Sequence, residues 1–147
     1  MTPVSRKTFV AIEAVAYIAC HAGDKPVRGR EICEYQDVTL RYLEHILQAL
    51  VRAGVLKGIR GPKGGYVLAR ERRKIPLSDI HDAVQSPGGG EEGSASPIYR
   101  KALRPLQEEL RREARTRLAA LTLQDICDRV GHGTAGAARP SRQDFTI

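Results

Sequence analysis

The chain has 147 residues, 41% hydrophobic and 28% charged, with 5% aromatic residues and no Trp. This suits one domain or a domain with an appendage, built around a mainly aliphatic core. No run approaches the ~18 apolar residues of a membrane span and no signal-peptide cleavage pattern follows the N-terminus, so a cytoplasmic protein with no membrane partner is expected.

The net charge of +7 points to an anionic partner, and its placement sharpens the point. Residues 1–75 carry 14 Lys/Arg against 7 Asp/Glu, whereas residues 76–147 carry 10 of each. All the excess lies in the first half, as in a nucleic-acid-binding half joined to a neutral assembly half. A plain solubility surplus is the competing reading.

Apolar residues from Phe9 to Ala19 recur with a helical period, and Gly23 is the expected C-cap. A short second helix fits Arg28 to Tyr35, burying Ile32 and Cys33. Asp37, in the short connection that follows, is a residue type that tolerates the left-handed conformation. Thr39 then suits the N-cap of a third helix, Leu40 to Ala53, closed by Gly54. Leu40, Leu43, Ile46, Leu47, Leu50 and Val51 form its apolar face. Two strand-like runs, Val55 to Arg60 and Tyr66 to Arg70, flank a Gly/Pro-rich turn and read as a hairpin.

Another helix fits Leu77 to Val84 after a basic connector. Gln85 to Ser96 is too rich in Gly, Ser and Glu for regular structure, and Ser96-Pro97 opens a short helical turn. A long helix runs from Arg104 to Ala120, with Leu106, Leu110, Ala114, Leu118 and Leu121 along one stripe. Thr122 caps a last short helix, Leu123 to Val130, and a Gly/Ala-rich tail follows. The expected fold is mainly α with a small β-hairpin: a winged helix-turn-helix domain (1–84), a Gly-rich connector (85–103), a dimerisation segment (104–130) and a tail (131–147).

A helix with one face buried and the other bearing Arg, His, Gln and Tyr can lie in a major groove and read base edges. Thr39, Arg41, Tyr42, His45 and Gln48 are the candidate contacts. The bland reading, a solvated amphipathic face, weakens beside the basic hairpin. There Arg60-Gly61-Pro62-Lys63-Gly64-Gly65-Tyr66 offers cations for phosphates or a minor groove. A nucleotide-phosphate loop would need Ser or Thr after Gly-Lys, opening a helix. Lys63 is followed instead by Gly64, Gly65 and a strand.

Thr39-Leu40-Arg41-Tyr42-Leu43-Glu44, then Ala53-Gly54-Val55-Leu56, then the wing from Ile59 to Ala69 together resemble the Rrf2 family of bacterial transcription regulators. The likeness runs from about Val4 to Val130 and includes Ile75-Pro76-Leu77 and the closing Leu121-Thr122-Leu123-Gln124-Asp125-Ile126. It implies a homodimer, held by the long helix, on a palindromic operator in double-stranded DNA. By position it assigns Tyr42 and Glu44 to the recognition helix, Arg60, Gly61 and Pro62 to the wing, and Arg6 and Lys7 to a basic N-terminal arm.

The departures matter as much. Cluster-binding members of the family carry cysteines in the loop before the dimerisation helix. The matching positions here fall near Gly89, Ala95, Lys101 and Arg104. None is an ordinary iron ligand, so no iron–sulfur cluster, and no other cofactor, is expected. Cys20, Cys33 and Cys127 show no C-x-x-C pair. Cys20 and Cys33 are candidate redox thiols, activated if Arg28 or Arg30 lies close, with inert packing as the alternative. Cys127 reads as packing. The four histidines lack metal-ligand spacing and read as solvated or capping, so no metal site is expected. No nucleophile–base pair stands out, and enzymatic activity is not expected. The chain thus reads as a sequence-specific transcription regulator, a repressor whose small-molecule or redox effector is unassigned. The alternative is a winged-helix protein-assembly module.

Overall fold

The computed structural model describes residues 4–21, 25–85 and 96–134. The expected Gly23 cap, most of the Gly-rich connector, and the tail beyond 134 lie outside the described residues.

Among the described residues, six α-helices and one hairpin follow the expected order. Helix α1 (Arg6–His21) starts three residues before the apolar run, because the Ser5 carbonyl and hydroxyl both accept from the Thr8 backbone N–H. Its buried face includes Val10, Ala11, Ala14, Val15 and Ile18. Helix α2 (Gly29–Gln36) ends at Asp37, whose φ of 56° and ψ of 47° are left-handed. The Asp37 N–H donates to the Cys33 carbonyl at 2.8 Å, a left-handed cap of the kind Asp tolerates.

Helix α3 (Leu40–Arg52) is capped by Thr39, whose hydroxyl accepts from the Tyr42 N–H at 3.3 Å. At its other end Gly54 N–H donates to Val51 and Val55 N–H to Leu50, with Gly54 at φ 78°. This is a Schellman closure, and it drops the fully buried Val55 into the core. Leu43, Ile46, Leu47 and Leu50 carry the burial of α3.

Strands β1 (Leu56–Ile59) and β2 (Gly65–Leu68) pair antiparallel, Leu56 opposite Leu68 and Ile59 opposite Gly65. Val27, just before α2, bridges the far side of β2: its N–H donates to the Tyr66 carbonyl and its carbonyl accepts from the Tyr66 N–H. Arg70 staples the hairpin down, donating to the Gly54 and Lys74 carbonyls and to Asp79 at 2.9 Å.

A 3-10 turn (Arg72–Lys74) leads to α4 (Leu77–Val84). A π-helical turn (Tyr99–Leu103) runs into α5 (Arg104–Ala119), with Pro near its start. Helix α6 (Leu123–Thr134) opens on a reciprocal capping box: Asp125 N–H donates to the Thr122 hydroxyl, and Thr122 N–H donates to the Asp125 carboxylate.

The second half is not a detached arm. Leu77 N–H donates to the Leu121 carbonyl and Leu123 N–H to the Ile75 carbonyl, so the α5–α6 junction pairs with the start of α4. Asp82 on α4 holds Arg115 on α5 through a forked pair, the shortest contact 2.7 Å. Leu118, Leu123 and Cys127 enter the same core as α1 and α3, with Leu121 packed against it. The stripe expected along α5 therefore divides. Leu118 is buried in its own chain, Ala114 and Leu121 are half-buried, and Leu106 and Leu110 stay exposed. The C-terminal part of this helix fits against α4.

His81 also departs from expectation. It is 7% exposed rather than solvated, and its Nδ1 lies 2.9 Å from the Thr8 hydroxyl, tying α4 to α1. Burial lowers its pKa below 6.5. The fold favours the neutral ring, so this contribution is complete above the unfolded pKa and is lost as pH falls toward the depressed folded value. The melting temperature should therefore drop as pH is lowered from 7 through 6.5, more steeply for the natural chain than for His81→Gln. Equal pH slopes in the two proteins would reject this role.

Candidate nucleic-acid interface

Helix α3 buries one side, so its other side faces out. Arg41, Glu44, His45 and Gln48 are exposed on that side, at the spacing of neighbours along one helical face. Two other expected contacts also have structural work. The Thr39 hydroxyl caps α3, and Tyr42 is half-buried against the core. Gln48 reaches the Tyr66 hydroxyl, whose pKa is raised by burial and then by the Glu44 charge.

The wing stands beside α3, with Arg60, Gly61, Pro62 and Lys63 exposed at its tip. Between wing and helix lies a cleft of about 570 Å³, whose lining includes Arg28, Gln48, Arg60 and Tyr66. Arg28 also lines this cleft, a residue the candidate contacts did not include. Its guanidinium donates to the Pro62 carbonyl, linking the start of α2 to the wing tip. A run of cations, Lys25, Arg28 and Arg30, was the available signal. Nothing local says that the wing folds back onto Arg28.

The wing glycines serve the fold first. A Cβ on Gly64 would sit 2.2 Å from the Ile59 carbonyl oxygen, inside the turn itself. One on Gly65 would sit 2.5 Å from the Val27 carbonyl oxygen, at a φ of 156° that side chains avoid. The close approach at these two glycines is to the chain's own backbone. Gly65→Ala should part β2 from Val27 and cost roughly 1–3 kcal/mol in denaturant unfolding. A midpoint equal to that of the natural chain would contradict this.

Arg6 and Lys7 form the first turn of α1 rather than an extended arm, because the Ser5 cap starts the helix there. Arg6 borders a groove with Gln36 and Val38, next to the turn between α2 and α3.

Of the two candidate thiols, Cys33 is buried as the packing reading expects, and Cys20 is not. Cys33 is buried in the core under α2, and burial, then Glu44 and Glu34, raise its pKa. Cys20 is exposed, but its pKa is raised to about 11 by burial of its sulfur and by Cys127. Arg30 does act on Cys33, too weakly to offset burial, whereas the cation acting on Cys20 is Arg72.

The residues present do not suit an iron–sulfur cluster. Of the four positions that the family resemblance marks, Gly89 and Ala95 lie outside the described residues. Lys101 is exposed and Arg104 lies over the Tyr99 ring at 5.5 Å. Both are cations where thiolates would be needed. No three His, Cys, Asp or Glu side chains gather as a metal site among the described residues. Nor is any helix there long and apolar enough to cross a membrane.

Known proteins share this architecture. Residues 4–129 match the family model described as "Rrf2: Iron-dependent Transcriptional regulator". The chain is 37% identical over 97 residues to the HTH-type transcriptional regulator IscR of Cereibacter sphaeroides, a match spanning 62% of each protein. Among solved structures, T. potens IscR superposes with a TM-score of 0.69 at 30% identity, covering 93% of both chains. CymR, described as the global cysteine regulator of B. subtilis, gives 0.67 at 28% identity, covering 88% of this chain and 98% of that one. With the family model spanning nearly the whole described fold, the chain belongs to the Rrf2 family of HTH-type, DNA-binding transcriptional regulators and is not an enzyme.

Proposed function

We propose that this regulator is a homodimeric repressor that binds a palindromic operator and reads its signal through thiol chemistry, without an iron–sulfur cluster. The observation that carries the DNA reading is the single surface made by the outer face of α3 and the wing. Arg41, His45 and Gln48 stand on the helix, with Arg28, Arg60 and Lys63 beside it. A helix face of this kind fits a major groove, while wing cations reach flanking phosphates or the minor groove. Lys101 and Arg104 at the family's ligand positions support a cluster-free regulator. Leu106 and Leu110, exposed on α5, support pairing of two copies.

The test is selection from a pool of random-sequence duplexes. The expected product is a palindrome with half-sites about one helical turn apart, bound at least 1,000-fold more tightly than scrambled DNA. Salt-sensitive binding with no enriched sequence would instead indicate an assembly module whose basic face meets an acidic protein.

A further inference from the structure

Two of the three cysteines meet where α1 packs on α6. Cys20, on the last turn of α1, and Cys127, within α6, place their sulfurs 3.8 Å apart although 107 residues separate them in sequence. Cys127 is 6% exposed, whereas Cys20 opens onto a groove of about 560 Å³ between Tyr17, Tyr35, Ile126 and Val130. One thiol is thus reachable by a small oxidant, and the second waits behind it.

We propose that Cys20 and Cys127 are a modification site, closing to a reversible intramolecular disulfide that clasps α6 to α1 and weakens DNA binding. The bond stands on the thiol geometry alone; its consequence rests on the reading of the chain as a DNA-binding regulator. The oxidant class is a peroxide. The Cys20 thiolate attacks one peroxide oxygen, the O–O bond breaks, and Cys20 becomes a sulfenic acid as water leaves. The Cys127 sulfur then attacks the Cys20 sulfur, forming the S–S bond and expelling the hydroxyl as a second water. Sulfur gives up two electrons, and the peroxide accepts them.

Among the described residues, the titratable groups acting on Cys20 are Cys127 on α6 and Arg72 on the 3-10 turn, with Tyr35 on α2 coupled to it. Arg72 favours the thiolate, but burial and Cys127 outweigh it and raise the pKa to about 11. At neutral pH the thiolate is scarce, so the pair resists weak oxidant. Its oxidation rate should climb about tenfold per pH unit toward that value.

Closing the bond brings the sulfurs from 3.8 Å to about 2.0 Å, which draws the helices together. Helix α6 continues from α5 through a junction paired with residues 75–77. On the other side, Cys20 precedes Val27, the backbone partner of Tyr66 in the wing. The bond therefore joins α6, which follows the helix proposed for assembly, to the path that seats the wing.

The test uses the reduced full chain, exposed to hydrogen peroxide over a range of pH. A parallel arm uses diamide, which takes up the two electrons and two protons as a hydrazine. The expected product has lost two hydrogens, yields one peptide pair joining Cys20 to Cys127, and reverts with dithiothreitol. Cys33 should be alkylated only after denaturation. Affinity for the selected duplex should fall about tenfold on oxidation and stay unchanged in Cys20→Ser and in Cys127→Ala, each checked for an intact thermal transition. A bond between two chains, a bond through Cys33, or no bond at all would overturn the site. A complete Cys20–Cys127 bond with unchanged affinity would overturn the clasp's effect. Reduced protein that selects no duplex would overturn the DNA reading and the effect with it, while mass still decides the bond.

Discussion

Replacing Leu106 and Leu110 together with Glu is expected to turn a dimer into a monomer and to lower operator affinity by at least about 100-fold. Both side chains are exposed in the single chain, at 47% and 42%, with Leu103 at 45% one turn earlier on the same face. Fully burying such a leucine is worth roughly 1.5–3 kcal/mol, so two copies gain by covering the patch. Four carboxylates placed there would have to be desolvated against one another, which association cannot offset. Once monomeric, the protein would engage one half-site at a time and lose the effective concentration that links the two. Because neither leucine lies in the core, circular dichroism and thermal melting should stay close to those of the natural chain. Light scattering gives the mass, and an unchanged dimer would reject the α5 face as the contact. Leu118→Glu is the contrasting case. At 9% exposure a carboxylate there is buried without a partner, so unfolding rather than clean dissociation is expected, at about 3–5 kcal/mol.

The second large effect concerns how α3 and the wing divide the work. Arg41→Ala should cost roughly 1–3 kcal/mol on the operator and relax preference at one base pair per half-site. Its guanidinium projects from the exposed face of α3, where a bidentate contact to guanine is the characteristic use. Lys63 sits at the wing tip, where phosphate is the reachable target. Lys63→Ala should weaken operator and scrambled DNA alike and reduce the salt slope by about 1 for each phosphate no longer neutralised. Arg28 should behave as a third case. Its tie to the Pro62 carbonyl makes Arg28→Ala loosen the wing, so part of its effect should appear as faster amide exchange in the hairpin of free protein. Titrations of the first two variants on both duplexes at several salt concentrations decide the assignment. If Lys63→Ala changed base preference while Arg41→Ala moved only the salt slope, the roles would be exchanged.

Much of this was legible before any coordinates, because the signals were local. Asp37 in a short turn, Thr39 ahead of an apolar period and Gly54 after it each act through bonds to residues three or four positions away. The Thr122–Asp125 box and the Arg60–Gly65 turn are of the same kind. Such interactions make element type and order readable from adjacent residues, and the charge imbalance of the first 75 residues is likewise a property of the chain alone. Helix ends were less legible, as the three-residue extension of α1 through the Ser5 cap shows.

What the sequence left open was every choice that depends on which distant surfaces meet. The α5 stripe has one composition along its length, yet Leu118 is inside and Leu110 outside. Only the pairing of residues 121–123 with 75–77 determines how much of the helix reaches the core. His81 looks like any solvated histidine until α4 packs on α1 and sets Thr8 against it. Arg28 looks like one cation in a run until the wing folds back over it. Cys127 reads as packing because nothing near it in sequence mentions Cys20, and their contact exists only through the docking of α6 on α1. Caps and turns act through residues close in the chain and so leave a local signature. These contacts join residues far apart in sequence, and the geometry that brings them together belongs to the folded core as a whole.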